Sequence, residues 1–288
     1  MRIRNYRISF FTFCVCIKSF IKVIFEEANR IWVGSNKFGA ALIDTETLEV
    51  YDASKVNPWG VALDIRALHD ITVINGNYWL ATNEGIIVLA SNGRILKRIQ
   101  SDDLGVSEEV NSLSISVVGN DIWVGTYIGL FLLSDAAEST ISSNYTPDYL
   151  HLNSDIYNST GIPSAIIMRV IEDRTGVVWA ATFHRGAFKY HPEYASVHFQ
   201  PVYNSERHSE DNFSTLWGFA ESSDKALYLV SQQKGLGKIS RETGKVSFFN
   251  AFLSMVCKHF GWSHVRVGAG VTFYFCIYCY FSLPDQCQ

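Results

Sequence analysis

The chain has 288 residues, of which 48% are hydrophobic, 14% aromatic and 18% charged, and its formal net charge is −4. That length allows one large domain or two small ones, and a charged share below the roughly 25% usual for soluble domains permits a substantial core. The acidic balance and the lack of a basic stripe exclude a nucleic-acid binder, because nothing would neutralise phosphates.

Residues 1–22 open basic, MRIRNYR, and continue as ISFFTFCVCI before Lys18. Positive residues ahead of about ten apolar ones are signal-like. No A-x-A cleavage site follows, however, and Lys18 and Lys22 interrupt the run, which leaves export open. Cys14 and Cys16 stand here, while Cys257, Cys276, Cys279 and Cys287 stand near the other end, with none between. No histidine completes a zinc spacing around them, so no metal or cofactor is expected. The cysteines mark a compositional break at both ends instead.

From Val23 to Asn250 one grammar recurs. An alternating apolar strand reaches a polar or glycine turn (EEAN, NGN, VGND, EDRTG, ESSDK), and an aromatic-centred second strand follows, such as IWVGT. A break with a hydroxyl residue and a glycine then leads to a third strand, such as GLFLLSD. The aromatic marks are Trp32, Trp79, Trp123, Trp179 and Tyr228, at intervals of 47, 44, 56 and 49 residues. Short runs bounded by Gly, Asn and Asp read as antiparallel strands joined by hairpins. Asp173 would accept turn N–H groups, and Gly176 would take a positive φ. In IWVGT, Trp123 and Gly125 share one sheet face while Ile122 and Val124 share the other. Both faces are apolar, so each small sheet needs cover on both sides. Repeats of 40–50 residues that cannot bury both faces alone predict an all-β propeller of about five four-stranded blades. Gly34 and Gly125 would allow close backbone approach between blades.

The interval from Trp123 to Trp179 is the longest, and its Ser-, Asn- and Tyr-rich stretch SDAAESTISSNYTPDYLHLNSDIYNSTGIPS is expected to protrude as a binding loop. There Tyr145, Tyr149 and Tyr157 either offer stacking surfaces or pin the loop down. After Asn250 the pattern stops. The uncharged run Val267 to Leu283 is at the lower length limit for a membrane span. It reads as an anchor, a strand pair or, as favoured here, a tail (251–288) outside the repeat.

The words EDRTGVVWAATFHRGAFKY and IWVGTYIGLFLLSD resemble the two-component regulator propeller repeat, roughly D-x-x-G-x-I-W-I-G-T-x-x-G-L. Trp123, Gly125, Thr126, Gly129 and Leu130 meet its second half. Asp173, Gly176, Trp179, Thr182 and Gly186 meet its length with one inserted residue. Other copies are degenerate, with Ala81 before Thr82 and Tyr228 in place of Trp. The resemblance implies a periplasmic or envelope sensor region that binds a small molecule, glycan or peptide. It also implies a downstream histidine kinase or diguanylate cyclase module as partner. No H-box, ATP-lid glycines or GGDEF-like stretch appears in the sequence. Family propellers usually close with seven blades. Either five blades close a small ring or, as favoured here, the propeller is truncated; in both cases it is expected without an output half and without catalysis of its own.

Catalytic signals are poor. His184 and Arg185, in a loop, are candidates for an anionic ligand or are an ordinary solvent-facing pair. His191 precedes Pro192, His198 follows soon after, and His69 precedes Asp70 with no nucleophile in a recognisable context. Glu26–Glu27, Glu108–Glu109 and Glu172–Asp173 read as turn residues more readily than as acid–base pairs. GLGK at 235–238 is too short for a phosphate loop, and sequons stand at Asn144, Asn158 and Asn212. A propeller lyase or hydrolase would need convergent His, Arg and carboxylate groups at the channel mouth. An interaction scaffold would show an apolar face instead.

Overall fold

The computed structural model describes residues 21–27, 29–52, 63–153, 162, 164–191, 196–200, 215–222, 225–231, 235–241, 246–249, 263–267 and 271–275, the side chains of 191, 196–200, 263–267 and 271–275 excepted. The hairpin grammar yields five four-stranded antiparallel sheets, each built of strands consecutive in the chain. Blade 1 is β1 (Ile21–Glu27), β2 (Arg30–Ser35), β3 (Ala40–Asp44) and β4 (Val50–Asp52). Blade 2 is β5 (Leu68–Ile74), β6 (Asn77–Thr82), β7 (Gly85–Leu89) and β8 (Ile95–Ile99). Blade 3 is β9 (Ser112–Val118), β10 (Asp121–Thr126), β11 (Gly129–Leu133) and β12 (Tyr149–Leu152). Blade 4 is β13 (Ile167–Glu172), β14 (Val178–Thr182), β15 (Ala187–His191) and β16 (Ser196–Gln200). Blade 5 is β17 (Leu216–Glu221), β18 (Leu227–Ser231), β19 (Gly235–Ile239) and β20 (Val246–Phe248). The result is a five-bladed β-propeller, with the first strand of each blade nearest the axis. GLGK forms most of β19, in its expected place after the aromatic strand.

The turns follow from their residues. Asn75 and Gly76 close the β5–β6 hairpin with φ of 50° and 77°, the primed-turn signature of Asn-Gly. The T-x-x-G of the repeat has a similarly local cause. Thr82 Oγ1 donates to the Gly85 carbonyl at 2.9 Å, Thr126 to that of Gly129 at 2.8 Å, and Thr182 to that of Gly186 at 2.7 Å. Each hydroxyl closes the second turn where no solvent reaches it.

The indoles act between blades. Trp32 lies 5.8 Å from Tyr78 of blade 2, Trp123 5.4 Å from Tyr190 of blade 4, and Trp179 6.3 Å from Phe219 of blade 5. Trp79 joins Ile115, Val124 and Phe131 of blade 3 in one cluster. Truncating a buried aromatic of this kind costs about 3–5 kcal/mol, so each seam depends on its Trp. A Cβ at Gly34 would stand 2.5 Å from the Leu68 carbonyl oxygen of blade 2. The missing side chain is what lets those blades meet.

The fifth seam is built differently. Among the described residues, the apolar faces of blade 1 (Val33, Ala41, Ile43) and blade 5 (Tyr228, Leu236) remain two separate clusters. Blade 5 meets blade 1 near the axis, where the Lys22 ammonium lies 4.8 Å from the centre of the Trp217 ring.

One sequence expectation needs correction. The stretch after β11 does not protrude along its length. Ala136, Ala137 and Ile141 are buried in the blade 2–3 core, and Asn75 Nδ2 donates to the Ala137 carbonyl at 2.6 Å. Its scattered apolar residues find cover that a Ser-rich composition conceals; residues 154–161 lie outside the described set. Within the tail, β21 (Ser263–Val267) pairs with β22 (Val271–Phe275) as an antiparallel hairpin, a two-stranded sheet separate from the five blades. No helix among the described residues is long and apolar enough to cross a membrane.

Candidate functional site: the axial mouth

Every inner strand carries a register shift at the same place. In β1 it leaves Lys22 unpaired between Ile21 and Val23; in β5 it leaves His69, in β9 Leu113, in β13 Met168 and in β17 Trp217. A β-bulge re-aims a side chain and kinks its strand. Here all five bulge residues line one cavity of about 710 Å³ on the propeller axis.

A second set of lining residues comes from the loop that follows the repeat's hydroxyl residue. Asn83 follows Thr82, Tyr127 follows Thr126, and Phe183 follows Thr182, while Asn36, Lys37 and Phe38 follow Ser35. The Thr–Gly lock thus fixes where the next side chain sits. Asn83 also holds the rim, its Oδ1 accepting from the backbone N–H of Arg66 at 3.1 Å and of Ala67 at 2.9 Å. Arg66 belongs to the lining too, and among the described residues no aspartate or glutamate does. Three large aromatics stand exposed on this rim, Phe38 at 53%, Tyr127 at 47% and Trp217 at 41%.

Two of the ionisable groups are perturbed by their surroundings. Lys22 opens to the channel, yet the protein atoms around it displace solvent and lower its pKa. His69 is likewise lowered, mainly by burial and further by the charge of Lys22; its hydrogen bond to Ser112 and the charge of Asp70 act the other way. His69 Nδ1 lies 2.7 Å from the Ser112 carbonyl oxygen. In the neutral ring Nδ1 is therefore the protonated nitrogen, and Nε2 keeps an acceptor lone pair.

Beside the mouth the channel is braced. Asp70 is 1% exposed; its Oδ1 accepts from Ile71 N–H and its Oδ2 from Ile115 N–H of blade 3, each at 3.0 Å. Arg169 of blade 4 pairs with the same carboxylate at 2.7 Å.

The residues singled out in the sequence fall elsewhere. Trp32, Trp79, Trp123, Trp179 and Tyr228 are core. Asp173 is a hub in the β13–β14 turn: it accepts from Thr175 and Val177, from Trp179 Nε1 at 2.8 Å, and pairs with Arg241 of blade 5 at 3.3 Å. Burial opposes its charge, but the bonds from Thr175 and Trp179 prevail and hold its pKa below the usual range. Gly176 takes φ 80° in that turn. Glu27 accepts from Tyr78, a link between blades 1 and 2. His184 and Arg185 are exposed just beyond the rim residue Phe183, and His184 Nδ1 lies 3.2 Å from the Thr215 hydroxyl. Tyr145 and Tyr149 pack against the blade 2–3 core, which is the pinning role. Tyr157, Asn158 and Asn212 lie outside the described residues, as do the side chains of His191 and His198. Sequence reasoning missed Lys22, Leu113, Met168 and Trp217. The signal was a spacing: the bulge residue stands 10 residues before the repeat aromatic in blades 1–3 and 11 before it in blades 4 and 5.

No protein-family model matches the chain, and no curated protein matches it in sequence. Solved structures do share the fold. The extracellular domain of the putative hybrid two component system BT4673 from B. thetaiotaomicron, also described as a one component system, is 16% identical with a TM-score of 0.57. That match covers 80% of this chain and 28% of the other. PorZ, a bacterial surface component of the type-IX secretion system of Porphyromonas gingivalis, is 17% identical with a TM-score of 0.53, over 80% of this chain and 33% of its own. A protein of unknown function from B. thetaiotaomicron is 11% identical with a TM-score of 0.51, over 80% of this chain and 57% of its own. The chain therefore spans about 28% of the length of the extracellular sensor-system domain it matches. That neighbour has the setting and the propeller fold that the regulator-propeller resemblance implied.

Proposed function

We propose that this chain is a non-catalytic sensory propeller of an envelope signalling protein, and that it reads its ligand at the axial mouth. The observation that carries this is the convergence of the bulge residues of all five blades on one cavity. A bulge breaks strand pairing, and its recurrence in every blade delivers one side chain of each to the same space. The cavity volume is in the range of small-molecule sites. Among the described residues the lining offers cations, amides and aromatics, a set suited to recognition. The BT4673 domain and the repeat resemblance support an extracytoplasmic setting and a signalling output module as partner. Binding at the mouth would bias contacts between inner strands and thereby reach such a module.

The test is thermal unfolding of the full chain with a panel of envelope glycans, peptides and small organic acids, with Trp217→Phe as control. A ligand at 100 times its Kd stabilises by about 2.7 kcal/mol, a shift of roughly 5 °C or more for a domain this size. Failure of every class to shift the midpoint would remove the reading.

A further inference from the structure

The axial mouth is divided by charge. Its cations among the described residues, Lys22, Lys37 and Arg66, all come from blades 1 and 2, as does His69. Blades 3, 4 and 5 contribute an almost wholly apolar wall, with Tyr127, Met168, Phe183 and Trp217 as its large side chains. Asn111 is the polar exception there, and its buried Oδ1 has no hydrogen-bond partner among the described residues. The halves touch where the Lys22 ammonium sits 4.8 Å from the Trp217 ring centre.

Neither Lys37 nor Arg66 forms an ion pair with a described carboxylate, and among the described residues no acidic side chain lines the cavity. Uncompensated cations facing one space favour an anion, and charge-assisted bonds to a carboxylate are the strong ones. An aromatic and aliphatic wall opposite favours an apolar body, which gains by leaving water. A bare inorganic anion would leave that wall uncovered. A neutral sugar would leave the cations unanswered.

We infer that the mouth binds an organic anion with an apolar body, an arylalkanoic or medium-chain alkanoic acid, its carboxylate on blades 1 and 2 and its body on blades 3 to 5. This rests on the ligand-reading function proposed above and names the ligand class of that site. The cavity of about 710 Å³ exceeds such acids, so larger members of the class fit as well.

Calorimetric titration of the full chain tests it, with 4-phenylbutyrate and octanoate as acids, 4-phenylbutyramide as the uncharged control and sulfate as the anion without a body. The acids should bind, and the amide and sulfate should bind at least about tenfold more weakly, the equivalent of one good interaction. The double variant Lys37→Gln/Arg66→Gln changes only exposed side chains and should weaken the acids by a similar factor at an unchanged melting temperature. Trp217→Ala should weaken octanoate and phenylbutyrate alike. Equal binding of amide and acid, sulfate binding as tightly as phenylbutyrate, or indifference of the double variant would each overturn the assignment. Binding of a neutral glycan or peptide, sensitive to Trp217→Ala, with the acids silent, would overturn it while leaving the ligand-reading function intact. Silence from acids, glycans and peptides together would remove both.

Discussion

Arg169 of blade 4 reaches the carboxylate of Asp70 of blade 2 at 2.7 Å, and Ile115 N–H of the inner strand of blade 3 bonds to the same carboxylate at 3.0 Å. One buried anion thus ties three blades together beside the mouth. Replacing Arg169 by Met leaves that carboxylate without its cation. A broken buried pair costs about 3–5 kcal/mol, and the solvent reaching Arg169 brings this down to about 2–3 kcal/mol. Asp70→Asn should destabilise as well, because its amide nitrogen would face the N–H of Ile71 or Ile115, both of which bond to the carboxylate. Urea midpoints check this, and coincidence of Arg169→Met with the wild type would dismiss the brace.

Two glycines of the repeat should fail for different reasons. A Cβ on Gly125 would lie 2.8 Å from the Ile167 carbonyl oxygen of the next blade and 2.8 Å from Ser114 Oγ. Gly125→Ala must therefore push blades 3 and 4 away from each other, at about 1–3 kcal/mol. Gly176 has open space around its missing Cβ but a φ of 80°, so Gly176→Ala pays only the left-handed penalty of about 1–2 kcal/mol. Thermal unfolding of both variants, with a peptide reporter of the blade 3–4 seam by hydrogen exchange, separates the causes: only Gly125→Ala should loosen that seam.

Asp173 makes stability depend on acid in a definite direction. Its folded pKa lies below the ordinary value, because Thr175 and Trp179 outweigh the opposing effect of burial. A depressed carboxyl contributes stability that is complete above its unfolded pKa, near 3.9, and is lost as pH falls through its folded pKa. The cost of Asp173→Asn, about 1–3 kcal/mol at neutral pH, should therefore shrink as pH falls below about 4. Denaturant titrations at pH 7 and pH 3 decide, and an identical deficit at both would refute the electrostatic account.

The seam between blades 5 and 1 should open before the others. Four seams pool the apolar residues of both neighbours into one cluster, whereas this one keeps Val33, Ala41 and Ile43 apart from Tyr228 and Leu236 among the described residues. Regions with fewer shared apolar contacts open at lower free energy. Amides of β2 and β18 should exchange faster than those of β10 and β14 in native-state hydrogen exchange. Uniform protection across the five central strand pairs would contradict this.

The architecture was legible because the packing residues repeat. Trp at the second strand, Thr and Gly at the turn after it, and Asn-Gly or Asp-x-x-Gly at the hairpin each have one local job in every blade that keeps them. The blade seams at Gly34 and Gly125 followed from the same pattern. The mouth was illegible because its residues repeat only in position: Lys22, His69, Leu113, Met168 and Trp217 share no chemistry. They share a bulge, and a bulge appears only once the strand is paired. Asp70 and Arg169 were hidden for a related reason, since nothing in either strand marks the other. His184 and Arg185 drew notice as a loop pair and Tyr145 and Tyr149 as part of the longest insertion; the first two are exposed in their loop, and the tyrosines pack against the blade 2–3 core.

A bulged position is held by the backbone on either side of it, not by its own side chain. Of the five, only Met168 belongs to the packing of an inter-blade cluster. The other four still make contacts of their own: Lys22 meets Trp217 between blades 1 and 5, His69 reaches the Ser112 carbonyl of blade 3, and Leu113 is buried. One backbone plan, repeated around an axis, thus delivers five unlike side chains to equivalent positions.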